Sequence, residues 1–187
     1  TTLFRSFLVG EQFSTLIGGT LLPDPTRFNL DGDDVLLMHG DSLCTDDIEH
    51  QKFRALSRSN EWQQDILSKS IAERQEIANH LRMTSEQGNA EKSNEIMYVS
   101  QSAVEDAMRQ QQVCVLIHGH THRIAVHDFS LDEAPVHRIV LGDWHRKGSY
   151  LHYNEHGFEL ISYPDESVIA SLPPINVIRA SYSALQA

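Results

Sequence analysis

The chain has 187 residues, of which 40% are hydrophobic and 22% are charged, and this composition is typical of a globular protein with a substantial core. Its formal net charge of −11 argues against a nucleic-acid-binding protein, which would present a basic face. Cys44 and Cys114 form neither a CxxC pair nor a disulfide framework, so we expect a reducing compartment. No apolar run has the length of about 18 residues that a membrane-spanning helix needs.

The N-terminal part of the sequence predicts a short helix followed by a β-hairpin. The helix is expected near residues 11–17. Residues 26–30 and 35–38 are strand-like, and Asp31-Gly32 between them is a strong hairpin signal. The second strand leads directly into His39-Gly40-Asp41, so a histidine and a glycine follow the carboxyl end of an apolar strand.

The middle of the sequence has helical periodicity. Residues 48–80 predict two helices with a break near residues 57–61. Residues 85–89 predict a polar loop, and residues 93–110 predict a further helix with one apolar face. Read without other information, this apolar spacing is typical of ordinary core packing.

The third part of the sequence alternates strands and turns around a histidine cluster. Residues 113–117 form an apolar run of strand length that ends on His118-Gly119-His120-Thr121-His122. Further strand-like runs follow at residues 125–127, 136–141, 149–153 and 158–163, and a hairpin turn at residues 154–157 joins the last two. The tail from residue 164 has no clear period and is not assigned to an element.

The histidine cluster predicts a metal site. Residues two apart in extended chain point to the same side, so His120 and His122 can face one shared site. Imidazole suits zinc, manganese or iron, and ligand sites on open α/β sheets lie at the carboxyl ends of strands. The alternative is a turn that carries three surface histidines. The second motif of this kind, at His39, favours the site.

The segments from His39 to Asp47 and from Leu116 to Arg123 resemble motifs of the calcineurin-like metallophosphoesterases and, within them, of the UDP-2,3-diacylglucosamine diphosphatases of lipid A biosynthesis. The resemblance covers residues 7–164 and includes the segment from Leu141 to His145. It implies an α/β fold, a metallophosphoesterase β-sandwich flanked by helices. It also implies a helical lid inserted at about residues 48–110, and it leaves residues 165–187 as a C-terminal tail.

The resemblance also implies a reaction and a location. Members of the family hydrolyse the pyrophosphate of UDP-2,3-diacylglucosamine by water attack at the α-phosphorus, giving UMP and 2,3-diacylglucosamine 1-phosphate (lipid X). They use two manganese ions, which suits the clamping of a pyrophosphate. The expected location is peripheral, on the cytoplasmic face of the bacterial inner membrane. The apolar positions of the lid would touch the lipid surface, and no nucleic acid is expected as a partner.

Site residues are carried over by motif. His39 and His120 match ligands of one manganese ion, His122 matches a ligand of the other, and His120 also matches a catalytic residue in contact with the substrate phosphate. Four further positions match substrate contacts, and these are Asp47, Ser85, Asn89 and Lys92. Lysine offers a point charge to phosphate, whereas serine and asparagine offer short hydrogen-bonding arms. Without the resemblance, residues 85–92 are typical of a solvated loop and helix start.

The sequence departs from the family at its beginning. The family has Asp-x-His, Gly-Asp and Gly-Asn-Arg-Asp motifs before His39, and none is present here; Phe4 and Ser6 stand where the last motif has Asn and Asp. Residues 1–6 can be encoded by a common sequencing adapter, so we expect a sequence artefact there and an N-terminally truncated fragment. Asp143-Trp144-His145 contains Asp-x-His, but we do not expect it to replace the missing ligands.

Two alternatives to the specific enzyme remain. Because only three of the family's metal ligands are matched, we expect the chain as printed to bind manganese weakly and to be close to inactive. The chain is then a non-catalytic fragment that binds metal or lipid. The other alternative is a metallophosphoesterase that acts on another nucleotide diphosphate. Ser85, Asn89, Lys92 and the length of the helical insert favour UDP-2,3-diacylglucosamine.

Overall fold

The computed structural model describes residues 10–30, 32–91, 98–144 and 148–178. These residues divide into two compact units, one made of helices and one built around strands. The helical unit comprises residues 10–22, 44–91 and 98, and the strand unit comprises residues 23–30, 32–43, 99–144 and 148–178.

The helical unit contains four helices: α1 (Glu11–Leu16), α2 (Ile48–Ser57), α3 (Asn60–Ser68) and α4 (Ile71–Glu91). Side chains cap the backbone N–H groups that a helix start leaves without intrahelical partners. Asp47 accepts a hydrogen bond from the His50 N–H at 3.1 Å, and Ser59 accepts one from the Trp62 N–H at 3.3 Å. Within the described residues, no helix is both long enough and apolar enough to cross a bilayer.

The sequence predicted the break near residues 57–61 but missed a second one, because residues 48–80 belong to three helices rather than two. The second break has a local cause. The Ser70 N–H and hydroxyl both donate to Glu73, at 2.8 and 2.6 Å, and the Glu73 N–H donates back to the Ser70 hydroxyl at 3.3 Å. This reciprocal pattern is a capping box, and it starts a new helix at Ile71.

The predicted polar loop at residues 85–89 is wrong, since the backbone stays helical to Glu91. No proline interrupts this segment, and Gly88 costs only about 1 kcal/mol in a helix interior. Extending a helix that is already formed needs no new nucleation, so a polar sequence can remain helical.

The strand unit contains a five-stranded sheet in the order β1-β2-β3-β5-β4. Its strands are β1 (Thr26–Leu30), β2 (Asp33–Met38), β3 (Val115–His118), β4 (Ala125–Leu131) and β5 (Ala134–Val140). The central strands β2, β3 and β5 are parallel, and the edge strands β1 and β4 are antiparallel to their neighbours. The predicted hairpin across residues 31–32 is confirmed by the β1–β2 pairing.

A second, antiparallel sheet contains β6 (Gly148–Asn154), β7 (Gly157–Tyr163) and β8 (Val168–Leu172), and β8 contacts β4 of the first sheet. The predicted hairpin at residues 154–157 is confirmed. Gly157 has φ 115°, and a Cβ there would lie 2.1 Å from the Leu172 carbonyl oxygen, so the turn requires glycine. The sequence pattern did not predict β8, whose residues are mostly exposed.

The core of the strand unit lies around β3, all four residues of which are buried. Parallel strands are covered on both faces, and this accounts for the unbroken apolar run that predicted the strand. Helix α5 (Gln101–Gln111) buries Val104 and Met108. It was predicted to begin at residue 93, but residues 98–100 are not helical, and the Ser100 N–H donates to the Leu43 carbonyl at 2.8 Å. The α/β fold class is confirmed.

Candidate functional site

Three parallel strands end at one edge of the five-stranded sheet. Met38 of β2 pairs with His118 of β3, and His118 pairs with Val140 of β5, so the three strands end at the same level. The segments that follow them therefore leave the sheet side by side. Carboxyl-terminal edges of this kind are where open α/β sheets place their ligand sites.

Backbone hydrogen bonds fix these three segments to one another. The Gly119 N–H donates to the His39 carbonyl at 3.1 Å, and the Leu141 N–H donates to the His118 carbonyl at 2.8 Å. The His39 N–H donates to the Asp24 carboxylate at 2.9 Å. His39 is thus held from both sides of its peptide backbone, and Asp24 is a site residue that the sequence reasoning missed.

The structure brings His39 and His120 together. Their ring centroids are 5.3 Å apart and their planes are inclined by 52°. Two imidazoles at this separation can direct one nitrogen each at a common ion. The two residues come from different strand ends, 81 positions apart in the sequence by their numbers, and only the β2–β3 pairing makes them neighbours.

The backbone of the histidine cluster is not extended, so the reasoning that placed His120 and His122 on one side of a strand is wrong. Both residues have positive φ, 64° at His120 and 55° at His122. The Thr121 N–H donates to the Gly119 carbonyl at 2.8 Å, which makes a tight three-residue turn centred on His120. Positive φ in a residue other than glycine costs about 1–3 kcal/mol and is concentrated at functional sites.

Each of two predicted metal ligands has a carboxylate beside its Nδ1 atom. His39 Nδ1 lies 3.2 Å from Asp41 Oδ1, and the Asp41 side chain is only 1% exposed. His122 Nδ1 lies 3.5 Å from Asp143 Oδ2, and here both side chains are about one-third exposed. Carboxylates in this position orient an imidazole and select the tautomer whose other nitrogen is free to bind a metal.

Gly40 allows the two strand ends to approach each other. Its φ is 103°, and a Cβ added there would lie 2.7 Å from His118 Nδ1. The His-Gly-Asp motif therefore has a packing requirement at its glycine as well as a chemical one at its histidine.

His118 is buried beneath the site, and this excludes the interpretation of the cluster as three surface histidines. Its Nδ1 lies 2.9 Å from the Gly119 carbonyl oxygen, and Arg138 Nη1 lies 3.1 Å from its Nε2. Because arginine can only donate, Nε2 accepts and Nδ1 carries the proton. Burial, together with the nearby Arg138 charge, lowers the pKa of His118 to about 4 although the Gly119 contact opposes this, so the ring is neutral.

Besides His120, the four predicted substrate-binding residues come from the middle part of the sequence. Asp47 is nearly buried and caps helix α2, so its carboxylate has a structural role whatever else it does. Ser85 and Asn89 lie within helix α4. Lys92 lies outside the described residues.

The residues present fit part of a metal site. His39 and His120 offer two imidazoles at a separation that suits one divalent ion, whereas tetrahedral and octahedral ions take four to six donors. Across the ranges that the structure describes, no group of three or more His, Cys, Asp or Glu side chains is arranged to hold a metal ion. His122 lies on the same strand end and stays a predicted ligand.

Sequence reasoning missed the residues that support the histidines. Arg138 had no signal, because an arginine within a strand resembles any polar position on the solvent side. The supporting role of Asp143 did have a signal, because Asp143 lies three residues after the end of β5, as Asp41 lies three residues after the end of β2.

No protein-family model matches the chain. The chain is 55% identical over 140 residues to a UDP-2,3-diacylglucosamine hydrolase of Chromohalobacter salexigens, a match that covers 75% of the chain and 57% of that protein. It is 43% identical over 160 residues to the protein of that name from Pectobacterium carotovorum, covering 86% of the chain and 67% of the relative. The relative from Aeromonas hydrophila is 48% identical over 147 residues, 79% of the chain and 61% of that protein. The chain thus spans 57–67% of the length of these curated relatives.

Proposed function

The chain belongs to the family of the UDP-2,3-diacylglucosamine hydrolases, and we propose that the protein hydrolyses the pyrophosphate bond of UDP-2,3-diacylglucosamine. Water would attack the α-phosphorus and release UMP and 2,3-diacylglucosamine 1-phosphate, a step of lipid A biosynthesis. The observation that carries the proposal is the pairing of His39 and His120, 5.3 Å between ring centroids, at the carboxyl edge of the parallel strands.

We propose manganese as the cofactor. His39 and His120 would hold one ion, and His122 would hold a second. Bound there, the ions would neutralise the charge of the pyrophosphate and lower the pKa of the attacking water. The support for this set is the donor chemistry of the two neighbouring imidazoles and the carboxylates behind Nδ1 of His39 and His122.

The protein's own residues would position the substrate. His120 would also contact the phosphate under attack, and its tight turn limits the directions in which the ring can point. Lys92 would supply a positive charge to phosphate, and Ser85 and Asn89 would donate hydrogen bonds. Asp47 would accept hydrogen bonds from substrate hydroxyl groups while it caps helix α2.

We further propose a peripheral location on the cytoplasmic face of the inner membrane. The substrate carries two acyl chains, so the enzyme must reach it at a lipid surface. Several large apolar side chains of the helical unit are exposed and would suit that contact, namely Leu56, Leu67, Ile71 and Met83.

For the chain as printed we expect weak manganese binding and little activity. Two neighbouring imidazoles supply fewer donors than a divalent ion requires, and the family's earlier ligand motifs have no counterpart before His39.

The test is UMP release from UDP-2,3-diacylglucosamine with added manganese, measured on the complete product of the gene that encodes this chain. We expect His120→Ala to lower the rate by about 100-fold or more, as is usual when a metal site is broken. Asp132→Asn, an exposed position at the opposite end of β5 from Val140, is the control and should keep the rate. Wild-type rates in His120→Ala, or no UMP from the complete protein, would refute the proposal.

A further inference from the structure

Asp143 stands at the end of β5 and faces His122, which follows the end of the neighbouring strand β3. Its Oδ2 atom lies 3.5 Å from His122 Nδ1. This distance is about 0.5 Å longer than a good hydrogen bond, so a small side-chain rotation would bring donor and acceptor into range. Strands β4 and β5 lie between these two residues in the sequence, so the fold and not the local chain brings them together.

The backbone that leads into Asp143 is fixed by the fold. Before it, the Gly142 N–H donates to the Ser149 hydroxyl at 2.8 Å, and Ser149 is 3% exposed. A Cβ on Gly142 would lie 2.6 Å from Ile124 Cδ1, so the backbone is packed against a side chain there. The Leu141 N–H is bonded to the His118 carbonyl. The carboxylate therefore follows directly on a stretch of backbone that is anchored up to Gly142.

A carboxylate on Nδ1 has a defined chemical effect on an imidazole. It favours the tautomer with the proton on Nδ1, which leaves the Nε2 lone pair available on the opposite side of the ring. The same arrangement recurs at His39, where Asp41 Oδ1 lies 3.2 Å from Nδ1. Two histidines at one sheet edge thus share a carboxylate support, although one carboxylate comes from the adjacent residues and the other from a different strand.

We propose that Asp143 is a positioning residue that orients His122 for metal binding and does not itself replace a missing ligand. The inference rests on the proposed function, in which His122 holds manganese. It differs from the simpler possibility of a surface ion pair, because such a pair would leave metal affinity unchanged.

The experiment measures manganese binding by electron paramagnetic resonance of the free ion, using the complete gene product without substrate. We expect Asp143→Asn and Asp143→Ala to raise the Kd for manganese by about 10–100-fold, the usual cost of losing a carboxylate behind a ligating histidine. Asp143→Glu should recover part of the affinity. Asp132→Asn, the same change at an exposed position, should keep the wild-type Kd, and His122→Ala should weaken binding at least as much as Asp143→Ala.

A second readout separates positioning from folding. Because Asp143 is one-third exposed, its Asn variant should unfold at the same urea midpoint as the wild type without metal. Its UMP release should return to within about twofold of the wild-type rate when manganese is raised above the new Kd.

The possible outcomes are distinct. Weakened binding that excess manganese rescues supports the inference. A wild-type Kd in Asp143→Asn together with weak binding in His122→Ala overturns the inference and leaves the proposed function intact. A wild-type Kd in His122→Ala would show that His122 does not bind manganese. That result would overturn both this inference and the proposed role of His122 as a metal ligand.

Discussion

Two carboxylate–imidazole pairs support the same sheet edge in different ways. Asp41 is two residues from its partner His39, and its side chain is 1% exposed. Asp143 reaches His122 from another strand, and its side chain is 35% exposed. A buried carboxylate is part of the fold, so it cannot be changed without changing stability. A carboxylate that is one-third exposed can be varied while the protein stays folded, so its effect on the chemistry can be measured separately from its effect on stability.

The largest expected effect on stability is at Asp41, the buried carboxylate of the two. Replacing Asp41 with Ala should lower the free energy of unfolding by about 1–3 kcal/mol, because it deletes a fully buried polar side chain and leaves His39 Nδ1, 3.2 Å away, without its carboxylate. Urea denaturation of the metal-free protein measures this value. A loss no greater than that of Asp143→Ala would remove the distinction between the two pairs.

The buried imidazole of this edge, His118, should make stability depend on pH. In the unfolded chain His118 takes up a proton near the ordinary histidine pKa of 6.5, whereas the folded protein keeps the ring neutral until the pH falls to its lowered pKa of about 4. The unfolded state therefore binds more protons in this window, and the free energy of unfolding should fall as the pH falls from 7 to 4, by about 3 kcal/mol in all.

The control for that pH effect is His118→Gln, which keeps a buried polar side chain but cannot titrate. Its unfolding free energy should have a smaller pH dependence than that of the wild type between pH 7 and 4 when both are measured with a chelator present. Equal slopes for the two proteins would show that His118 has an ordinary pKa.

Gly40 provides a test of the close approach between the strand ends. Gly40→Ala should lower the free energy of unfolding by about 2 kcal/mol, from the strain of positive φ together with the clash at His118. Gly32→Ala is the matched control, because Gly32 also has positive φ but a Cβ there would meet no atom within 4 Å. The Gly40 variant should be the less stable of the two; equal losses would mean that strain alone matters.

Substitution of Asp143, the more exposed carboxylate, should have a small effect on the free energy of unfolding. Asp143→Asn is expected to change the free energy of unfolding by less than about 0.5 kcal/mol, because substitutions in partly exposed pairs are usually of this size. A loss of several times that size would show that Asp143, like Asp41, is needed for the stability of the fold.

The smallest effect is expected at Arg109, which forms a surface pair with Asp132 at 2.9 Å. This contact raises the pKa of Arg109 and lowers that of Asp132, but both groups face the solvent. Arg109→Ala should unfold within the error of the wild-type measurement. It gives the reference against which the Asp143 effect is judged.

The sequence predicted those parts of the fold that local pattern determines. The strand at residues 113–117 and the hairpins at residues 31–32 and 154–157 have unbroken apolar runs or turn residues, and all are confirmed. The extent of helix α4 was not predictable in this way, since polar residues at its C-terminal end are equally compatible with a loop. The break before Ile71 had a readable Ser-x-x-Glu signal that was missed.

The two histidines that the structure brings together could be predicted from the sequence, but the residues that support them could not. His39 and His120 could be named from two similar strand ends, and their neighbourhood followed from the parallel pairing. The turn at His120 could not be predicted, because tertiary packing imposes a positive φ on a residue type that rarely adopts it. The contact of Asp24 with the His39 backbone could not be predicted either, because it depends on where β1 begins relative to the end of β2.

The pairing of Leu36 with Leu116 joins neighbouring strands across a long stretch of chain that contains most of the helical unit. The hairpins β1–β2, β4–β5 and β6–β7 close over a few residues, whereas this pairing closes a loop of about 80, and long-range contacts form slowly. We therefore expect the histidine edge to assemble late in folding, after the hairpins. Because each doubling of loop length adds only about 0.6 kcal/mol to the closure cost, the helical unit can lengthen or shorten in evolution with little effect on whether that edge forms.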